Sequence, residues 1–259
     1  MSAALSIEVA GAGPPIALLH GWALHAGIWG PLVPRLAQRH LVHAVDLPGH
    51  GHSAPATPFS IDAIVGALDA AFATDAPKLT VIGWSLGGQV ALRWARLRPE
   101  RVTRLVLVCT TPRFVAAPDW PHAMAAETLE RFGDELRIAW KLTVQRFLAL
   151  QVHGSEHGRA ALALLRHDIF ARGEPSPQML SEALAVMAAT DLRADVGEVA
   201  VPALVISGGR DLLTPPGAGR WLADNLPEAR YVCIDGAAHA PFLSHPEAFF
   251  GAIEAFVGG

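Results

Sequence analysis

A serine between glycines, in residues 83–87 (GWSLG), is the feature of this chain that most directly indicates covalent chemistry. Apolar residues 79–82 precede it, and a helical pattern begins at Gly88. A strand, a G-x-S-x-G motif and a helix in this order are typical of a nucleophile elbow, a strained turn that exposes the serine hydroxyl. Because a free serine hydroxyl is a poor nucleophile, Ser85 needs a base and a group that orients the base.

Two later residues, His239 and Asp211, have the types and positions that this chemistry requires. Asp211 follows the predicted strand that ends at Ser207, and His239 follows the last predicted strand. Sites in open parallel sheets form beyond the carboxyl ends of the strands, so we expect both side chains near Ser85. His239 would accept the serine proton, and Asp211 would hold the imidazole in the correct tautomer. Asp235, four residues before His239, is the alternative orienting acid.

The negative charge that develops on the substrate oxygen during attack needs two fixed N–H donors, an oxyanion hole. We expect Leu86 to supply one, because it begins a helix, where N–H groups lack partners within the helix. We expect Trp22 to supply the other from the loop after the first predicted strand, where Gly21 lets the backbone approach. The Trp22 indole is expected to line the acyl pocket.

The elements that must position these residues are read from short apolar runs that alternate with helical patterns. Continuous rather than alternating apolar runs indicate strands whose two faces are both covered by helices. The pattern therefore predicts an α/β fold with a mostly parallel sheet and helices on both faces. The predicted strands are 15–20, 41–46, 79–84, 102–109, 203–207 and 230–234, and the predicted helices are 28–38, 61–73, 88–98, 217–225 and 246–257.

Residues 113–190 interrupt this alternation, since they lack a strand pattern and are rich in helix-forming residues. An all-helical insertion at the end of the sheet where strands terminate would form a lid over the site. We therefore predict a core of residues 1–112 and 191–259 and a helical lid of residues 113–190. Ordinary crossover helices are the alternative, but the length of this segment, nearly eighty residues, favours a lid.

Composition excludes several classes of function. The 259 residues are 51% hydrophobic and 17% charged, which suits one packed domain, and a net charge of −4 does not favour nucleic acid binding. No apolar run approaches the ~18 residues that span a bilayer, and the N-terminus lacks a basic, then apolar, leader. We expect a cytoplasmic, soluble monomer in which Cys109 and Cys233 are buried free thiols.

Neither a metal nor a cofactor is predicted. The segment 153–157 (HGSEH) contains two histidines and a glutamate, but it has no convincing metal-ligand spacing. Residues 11–13 (GAG) lack the third glycine and the following helix of a dinucleotide-binding turn.

Five segments carry a resemblance to a known family: residues 18–22 (LLHGW), 45–51 (VDLPGHG), 83–88 (GWSLGG), 146–151 (RFLALQ) and 237–242 (AAHAPF). They resemble the pimeloyl-[acyl-carrier protein] methyl ester carboxylesterases of biotin synthesis, the BioH family of α/β-hydrolases. The resemblance implies hydrolysis of a methyl ester on a carrier-bound pimeloyl chain, with release of methanol. It also implies substrate contacts at Trp22, Ser85, Leu86, Phe147, Leu148, Ala149, Leu150, Gln151 and His239. We assign a structural role to the family loop 46–53 (DLPGHGHS).

An acyl carrier protein is acidic, so this implied partner requires a basic face on the lid. Residues 137–172 contain six basic and two acidic residues, whereas residues 119–136 contain one basic and five acidic residues. We predict docking at Arg146 and Arg159, with a solvated helix face as the alternative for any single arginine. Leu142 and Ala163 stand where other family members carry basic residues.

Other functions remain open on the same predicted fold. A broad carboxylesterase for free short-chain esters would use the same three residues, and related families cleave carbon–carbon bonds or open lactones. A non-enzymatic ligand receptor is the alternative of a different class. Dehalogenases and epoxide hydrolases need a carboxylate at the elbow, so Ser85 argues against both.

Overall fold

The sheet is the element that brings the predicted site residues together. The computed structural model describes residues 4–72 and 78–258. In this part of the chain, seven strands form one sheet in the order β1-β3-β2-β4-β5-β6-β7. Strands β2 to β7 are parallel, and β1 is antiparallel to β3. The strands are β1 (Ile7–Ala10), β2 (Pro15–Leu19), β3 (Leu41–Val45), β4 (Leu79–Trp84), β5 (Val102–Val108), β6 (Ala203–Gly208) and β7 (Ala229–Ile234).

Helices connect the parallel strands, which confirms the predicted α/β fold. The helices are a 3₁₀ turn (Ala26–Trp29), α1 (Val33–Leu36), α2 (Ile61–Ala71), α3 (Leu86–Leu97), α4 (Ala126–Leu150), α5 (Gly158–Asp168), α6 (Pro177–Ala189), α7 (Arg193–Val196), α8 (Pro216–Asn225), α9 (Pro241–Ser244) and α10 (Pro246–Val257). Among the described residues, no helix combines the length and apolar character needed to cross a membrane.

Burial along the strands explains why the continuous apolar runs predicted them correctly. All residues of the inner strands β4 and β6 are buried. Among the described residues, the edge strand β7 pairs with β6 alone and is partly open, so Cys233 is exposed. The prediction that both cysteines are buried is therefore wrong for Cys233 and confirmed for Cys109.

The structure differs from the sequence predictions in two places, residues 28–38 and β1. The helix predicted over residues 28–38 is a 3₁₀ turn followed by the short α1, because Pro31 lacks the N–H that a continuous helix would use. The antiparallel strand β1 was not predicted, since its four half-exposed residues carry no continuous apolar run. Helix α2 begins after Ser60, whose side chain caps the Ala63 amide, and its predicted end at Ala73 lies outside the described residues.

The segment between β5 and β6 contains α4, α5 and α6, as expected for a helical insertion. Its start is irregular rather than helical, with short bridges such as Val115 to Met124. The 25-residue α4 is interrupted by non-helical backbone at Ala139 (φ −146°, ψ 57°). The division into core and lid at residues 113 and 190 stays a prediction, and we use the word lid below for residues 113–190.

Buried polar contacts fasten the lid to the core. Arg172, in the loop between α5 and α6, donates to the carboxylate of Asp46 at 2.8 Å. The Asp46 side chain is fully buried, and that of Arg172 is 9% exposed. His25 in the core donates to the Asp168 carbonyl at 2.6 Å. Burial alone would raise the pKa of Asp46, but two backbone amides and the Arg172 guanidinium outweigh it and lower that pKa. The loop 46–53 therefore has the predicted structural role and also anchors the lid.

Candidate active site

Ser85 lies on a strained turn between β4 and α3. Its backbone has φ +55° and ψ −116°, in a region that non-glycine residues rarely occupy, and its amide donates to the Val108 carbonyl at 3.0 Å. A Cβ atom at Gly83 or at Gly87 would lie 2.2 Å from a backbone oxygen. The two glycines of the motif are therefore required sterically, and the strain at Ser85 is typical of a functional residue.

Asp211 and His239 form a buried pair. His239 Nδ1 lies 2.8 Å from Asp211 Oδ2, and both residues are about 2% exposed or less. Because a carboxylate oxygen only accepts, Nδ1 carries the proton and Nε2 is left with the lone pair that a general base needs. The alternative acid, Asp235, is exposed, and the carboxylate bound to His239 is that of Asp211.

The elbow and the histidine loop are linked next to Ser85. Trp84 donates its indole N–H to the His239 carbonyl at 2.8 Å, and the His239 amide donates to the Gln151 carbonyl at 2.9 Å. Within residues 4–72 and 78–258, His239 Nε2 has no hydrogen-bond partner, so no hydrogen bond joins it to Ser85. Catalytic hydrogen bonds are often long in free enzymes and shorten when substrate binds.

Both predicted oxyanion donors lie on segments next to Ser85. Leu86 is the first residue of α3, where its N–H has no acceptor within the helix. A Cβ at Gly21 would lie 3.2 Å from the Trp84 ring and 3.3 Å from the Ser85 Cβ, so the loop that bears Trp22 passes against the nucleophile. Gly21 is thus the residue that permits this approach.

His20 holds the Trp22 loop in place, a role that sequence reasoning missed. Its Nδ1 donates to the Gly21 carbonyl at 2.8 Å, and its Nε2 accepts from the Leu47 amide at 2.9 Å. Burial, with a smaller contribution from His50, lowers the pKa of His20 to about 3. The imidazole is therefore neutral and serves as a structural linker. The sequence signal for this role was the position of His20 directly before Gly21.

Lid residues cover the site. The Trp22 indole donates to the Leu180 carbonyl at 3.0 Å and contacts the Phe147 ring edge-on, with centroids 4.9 Å apart. Gln151 is 1% exposed, and its side-chain amide has no hydrogen-bond partner among the described residues.

The predicted substrate segment 147–151 is not uniform. Leu148 is fully buried, whereas Leu150 exposes 43% of its surface. Phe147 and Ala149 are half-buried. The substrate contacts of this segment stay predictions.

The basic face of the lid is smaller than the sequence count indicates. Arg172 is buried against Asp46, and Lys141 forms an ion pair with Glu174. Arg146 is exposed and lies 3.3 Å from Glu135, which belongs to the acidic segment 119–136, and Arg159 is exposed. Arg146 and Arg159 are thus at the surface, but Glu135 lies beside Arg146 and Glu174 lies beside Lys141.

Cys109 lies beside the Asp211–His239 pair. One donor atom from each of the three residues falls within 4.8 Å of the others, a spacing that could hold a metal ion. Burial, and then the charge of Asp211, raises the pKa of the Cys109 thiol. Metals bind the thiolate, so a protonated Cys109 is a poor ligand. We interpret the group as an acid–base pair packed against a neutral thiol.

Comparison with known proteins agrees with this geometry. A family model described as alpha/beta hydrolase fold matches residues 14–246. A protein from Nitrosomonas europaea, named pimeloyl-[acyl-carrier protein] methyl ester esterase, is 44% identical over 254 residues, which cover 98% of this chain and 99% of the relative. The chain belongs to this α/β-hydrolase family.

Other members of the family and of the fold match over similar lengths. A pimeloyl-[acyl-carrier protein] methyl ester esterase from Chromobacterium violaceum is 45% identical over 250 residues, 96% of each chain. A solved esterase structure from Exiguobacterium antarcticum superposes with a TM-score of 0.92 at 20% identity, covering 99% of this chain and 96% of that one. At that identity the superposition shows the fold alone. Membership of the family and the α/β-hydrolase fold, both predicted from sequence, are confirmed.

Proposed function

We propose that this chain is a serine carboxylesterase that hydrolyses the methyl ester of pimeloyl-acyl carrier protein in biotin synthesis and releases methanol. The observation that carries the proposal is the buried Asp211–His239 pair, 2.8 Å apart, beside a strained Ser85. The names of relatives that are 44% and 45% identical support the substrate. We also propose that the enzyme acts in the cytoplasm and as a monomer.

Acylation begins when Ser85 Oγ attacks the ester carbonyl carbon and His239 Nε2 accepts the hydroxyl proton. Asp211 stabilises the imidazolium that forms, because its carboxylate accepts the Nδ1 proton in a hydrogen bond. The carbonyl oxygen becomes an oxyanion, which accepts hydrogen bonds from the backbone amides of Leu86 and Trp22. The tetrahedral intermediate then collapses, the bond to the methoxy group breaks, and His239 returns the proton to release methanol.

Deacylation repeats these steps with water as the nucleophile. His239 Nε2 accepts a proton from water, the resulting oxygen attacks the acyl carbon, and the same two amides stabilise the second oxyanion. When this intermediate collapses, Ser85 takes back a proton from His239 and the pimeloyl group is released as its carboxylic acid. Every proton transfer passes through His239.

Substrate binding requires the lid to move. Ser85 and His239 are 2% and 1% exposed, which supports a motion of the lid that lets the ester reach them. We propose that the Trp22 and Phe147 rings contact the methylene chain and that the unpartnered Gln151 amide offers hydrogen bonds to the acyl group. The non-helical backbone at Ala139 divides α4 and supplies a point at which the lid can bend.

Docking of the acidic carrier is proposed at Arg146 and Arg159. Both side chains are exposed on the lid, and such charges raise the encounter rate with an oppositely charged partner. Because exposed charges are screened over about 8 Å at physiological ionic strength, the contribution falls as salt is added.

A side-by-side assay tests the substrate. Carrier-bound methyl pimelate and free dimethyl pimelate are compared at rising sodium chloride. We expect kcat/KM for the carrier-bound ester to be higher by roughly 10- to 1,000-fold at low salt and to fall with salt. Equal values for both esters would favour a broad esterase, and ligand binding without turnover would favour a receptor.

Charge reversal locates the docking face. Arg146→Glu and Arg159→Glu should lower kcat/KM for the carrier-bound ester and leave the free ester unchanged. Arg39→Glu, an exposed arginine on the core, is the matched control and should leave both substrates unchanged. If all three variants behave alike, the lid arginines do not dock the carrier.

A further inference from the structure

Thr214 contacts both members of the buried acid–base pair. Its Oγ1 lies 2.7 Å from Asp211 Oδ2 and 3.3 Å from His239 Nδ1, and the residue is 2% exposed. Its backbone amide also donates to Asp211 Oδ1 at 3.0 Å, beside the Leu213 amide at 2.8 Å. The carboxylate of Asp211 therefore accepts three hydrogen bonds from its own turn and a fourth from His239.

The direction of the hydroxyl proton follows from the donor inventory. Thr214 has one O–H proton, which can go to Asp211 Oδ2 or to His239 Nδ1. Donation to Nδ1 would require Nδ1 to carry no proton. The neutral ring would then carry its proton on Nε2, and Nε2 could not act as a base toward Ser85. The hydroxyl therefore donates to Oδ2, which also lies at the shorter distance.

Two donors consequently share one carboxylate oxygen. A hydrogen bond to a charged acceptor stabilises that charge, so the Thr214 hydroxyl weakens the ability of Oδ2 to stabilise a positive imidazole. The same hydroxyl fixes Oδ2 in the direction of Nδ1, while the two backbone amides hold Oδ1. The Thr214 side chain therefore affects both the position of Asp211 Oδ2 and its ability to stabilise a positive charge on His239.

We propose that Thr214 is a positioning residue, which aims Asp211 Oδ2 at His239 and sets the pH below which His239 stops acting as a base. The inference rests on the proposed function, because it assumes that His239 is the general base. It adds a fourth residue to the three that define the reaction.

Other ionisable groups near the pair do not account for this effect. Cys109, at the end of β5, is kept neutral by burial, which raises its thiol pKa. Arg210, next to Asp211, pairs with Glu156 of the lid at 3.2 Å, and both are half-exposed. These groups are the same in a Thr214 variant, so a change in pH dependence reports the hydroxyl.

The test compares Thr214→Val and Thr214→Ser with the unchanged protein, using p-nitrophenyl butyrate from pH 5 to 9. Loss of the hydroxyl in Thr214→Val should move the acidic limb of kcat/KM to higher pH by about half to one unit, because Asp211 Oδ2 then stabilises the imidazolium of His239 more strongly. On the alkaline plateau, kcat should fall roughly 3- to 10-fold while KM stays within about twofold. Thr214→Ser keeps the hydroxyl and should restore the original limb.

A control variant, a second variant without the hydroxyl and an NMR measurement distinguish this role of Thr214 from a purely structural one. Thr143→Val removes a buried hydroxyl that donates to the Ala139 carbonyl inside α4, and it should leave the pH profile unchanged. Thr214→Ala is a second variant without the hydroxyl, and proton NMR of the His239 Nδ1–H resonance reports the shared hydrogen bond directly in every folded variant. We expect this resonance to move in Thr214→Val and Thr214→Ala, and not in Thr214→Ser.

An unchanged acidic limb and an unmoved resonance in Thr214→Val and Thr214→Ala would overturn the proposal, even if kcat or thermal stability fell. Failure of the proposed function is a separate result. In that case Ser85→Ala would retain turnover of the same ester, whatever the behaviour of the Thr214 variants.

Discussion

The cluster of Ser85, Asp211 and His239 in the core and the outer face of the lid are held together in opposite ways. In the core, the Asp211 carboxylate accepts four hydrogen bonds, and Asp211, Thr214 and His239 are each at most 2% exposed. On the lid, charged pairs such as Arg146 with Glu135 are exposed, and apolar side chains such as Ile138 are left 86% open to solvent. Helix α4 itself is broken at Ala139.

This difference separates the reaction from the choice of substrate. Groups that transfer protons need fixed geometry, which buried and fully bonded side chains provide. Groups that admit a long acyl chain and meet a partner protein need a surface that can move, and exposed ion pairs restrain it weakly because each contributes at most ~1 kcal/mol. Changes in the core should therefore affect every ester, whereas changes in the lid should depend on the substrate.

Removal of the reacting groups is expected to have the largest effect. Ser85→Ala and Asp211→Asn should each lower kcat by about 10⁴-fold or more on both free and carrier-bound esters, because the three residues act as a unit. Steady-state assays measure this loss, with circular dichroism as the control for folding. A variant that lost activity on one ester only would contradict the separation between core and lid.

The junction between the two regions gives the next largest effect. Arg172→Met leaves the buried Asp46 carboxylate without its cation, which should lower the free energy of unfolding by about 3 kcal/mol. Arg137→Met removes an exposed pair with Asp134 on α4, and it should change that free energy by less than about 0.5 kcal/mol. Urea unfolding measures both changes in free energy. Equal values would show that the Arg172–Asp46 contact does not stabilise the attachment of the lid to the core.

A fall in pH should lower the free energy of unfolding through buried histidines of the core before it affects the lid surface. Burial lowers the pKa of His20 to about 3 and also lowers the pKa of His25 and of His50, so the unfolded chain binds protons that the native protein does not. The stability that His20 contributes above pH ~6.5 is therefore lost as pH falls from that value toward about 3, by roughly 1.4 kcal/mol per pH unit. His25 and His50 contribute in the same direction.

Unfolding free energies at pH 7.5, 6 and 5 test this dependence. His20→Gln removes one of the titrating groups, so its pH slope should be smaller by about one proton even though its stability is lower at every pH. A slope equal to that of the unchanged protein would show that His20 is not held neutral in the native state.

Truncation of a lid side chain should give a smaller, substrate-dependent effect. Phe147→Ala removes the ring that contacts Trp22, which should raise KM for the pimeloyl ester about tenfold through lost apolar contact. Turnover of p-nitrophenyl acetate, which has no long chain, should change by less than about twofold. A comparable loss on both esters would place Phe147 in support of the reacting groups instead.

Sequence reasoning succeeded where the signal is local. Continuous apolar runs identified β2 to β7, and the glycines around Ser85 identified the elbow, because close packing permits few other residues there. The order of Ser85, Asp211 and His239 along the chain, each after a strand, was sufficient to predict that the carboxylate bound to His239 is that of Asp211.

The features that were missed depend on contacts between distant segments. Arg172 is 126 residues from Asp46, and nothing in its surroundings shows that it leaves the basic face to enter the core. The neutral linker role of His20 depends on the Leu47 amide in another loop. Exposure of Cys233 follows from the place of β7 at the edge of the sheet, which an apolar run does not reveal.

Covalent labelling tests the central claim most directly, that a buried Asp211–His239 pair activates Ser85. The protein is treated with an alkyl fluorophosphonate, and the modified peptide is located by mass spectrometry. We expect one label, on Ser85, at a rate that falls about 10³-fold or more in His239→Ala and Asp211→Asn. A label on another residue, or rapid labelling of Ser85 without His239, would contradict the account.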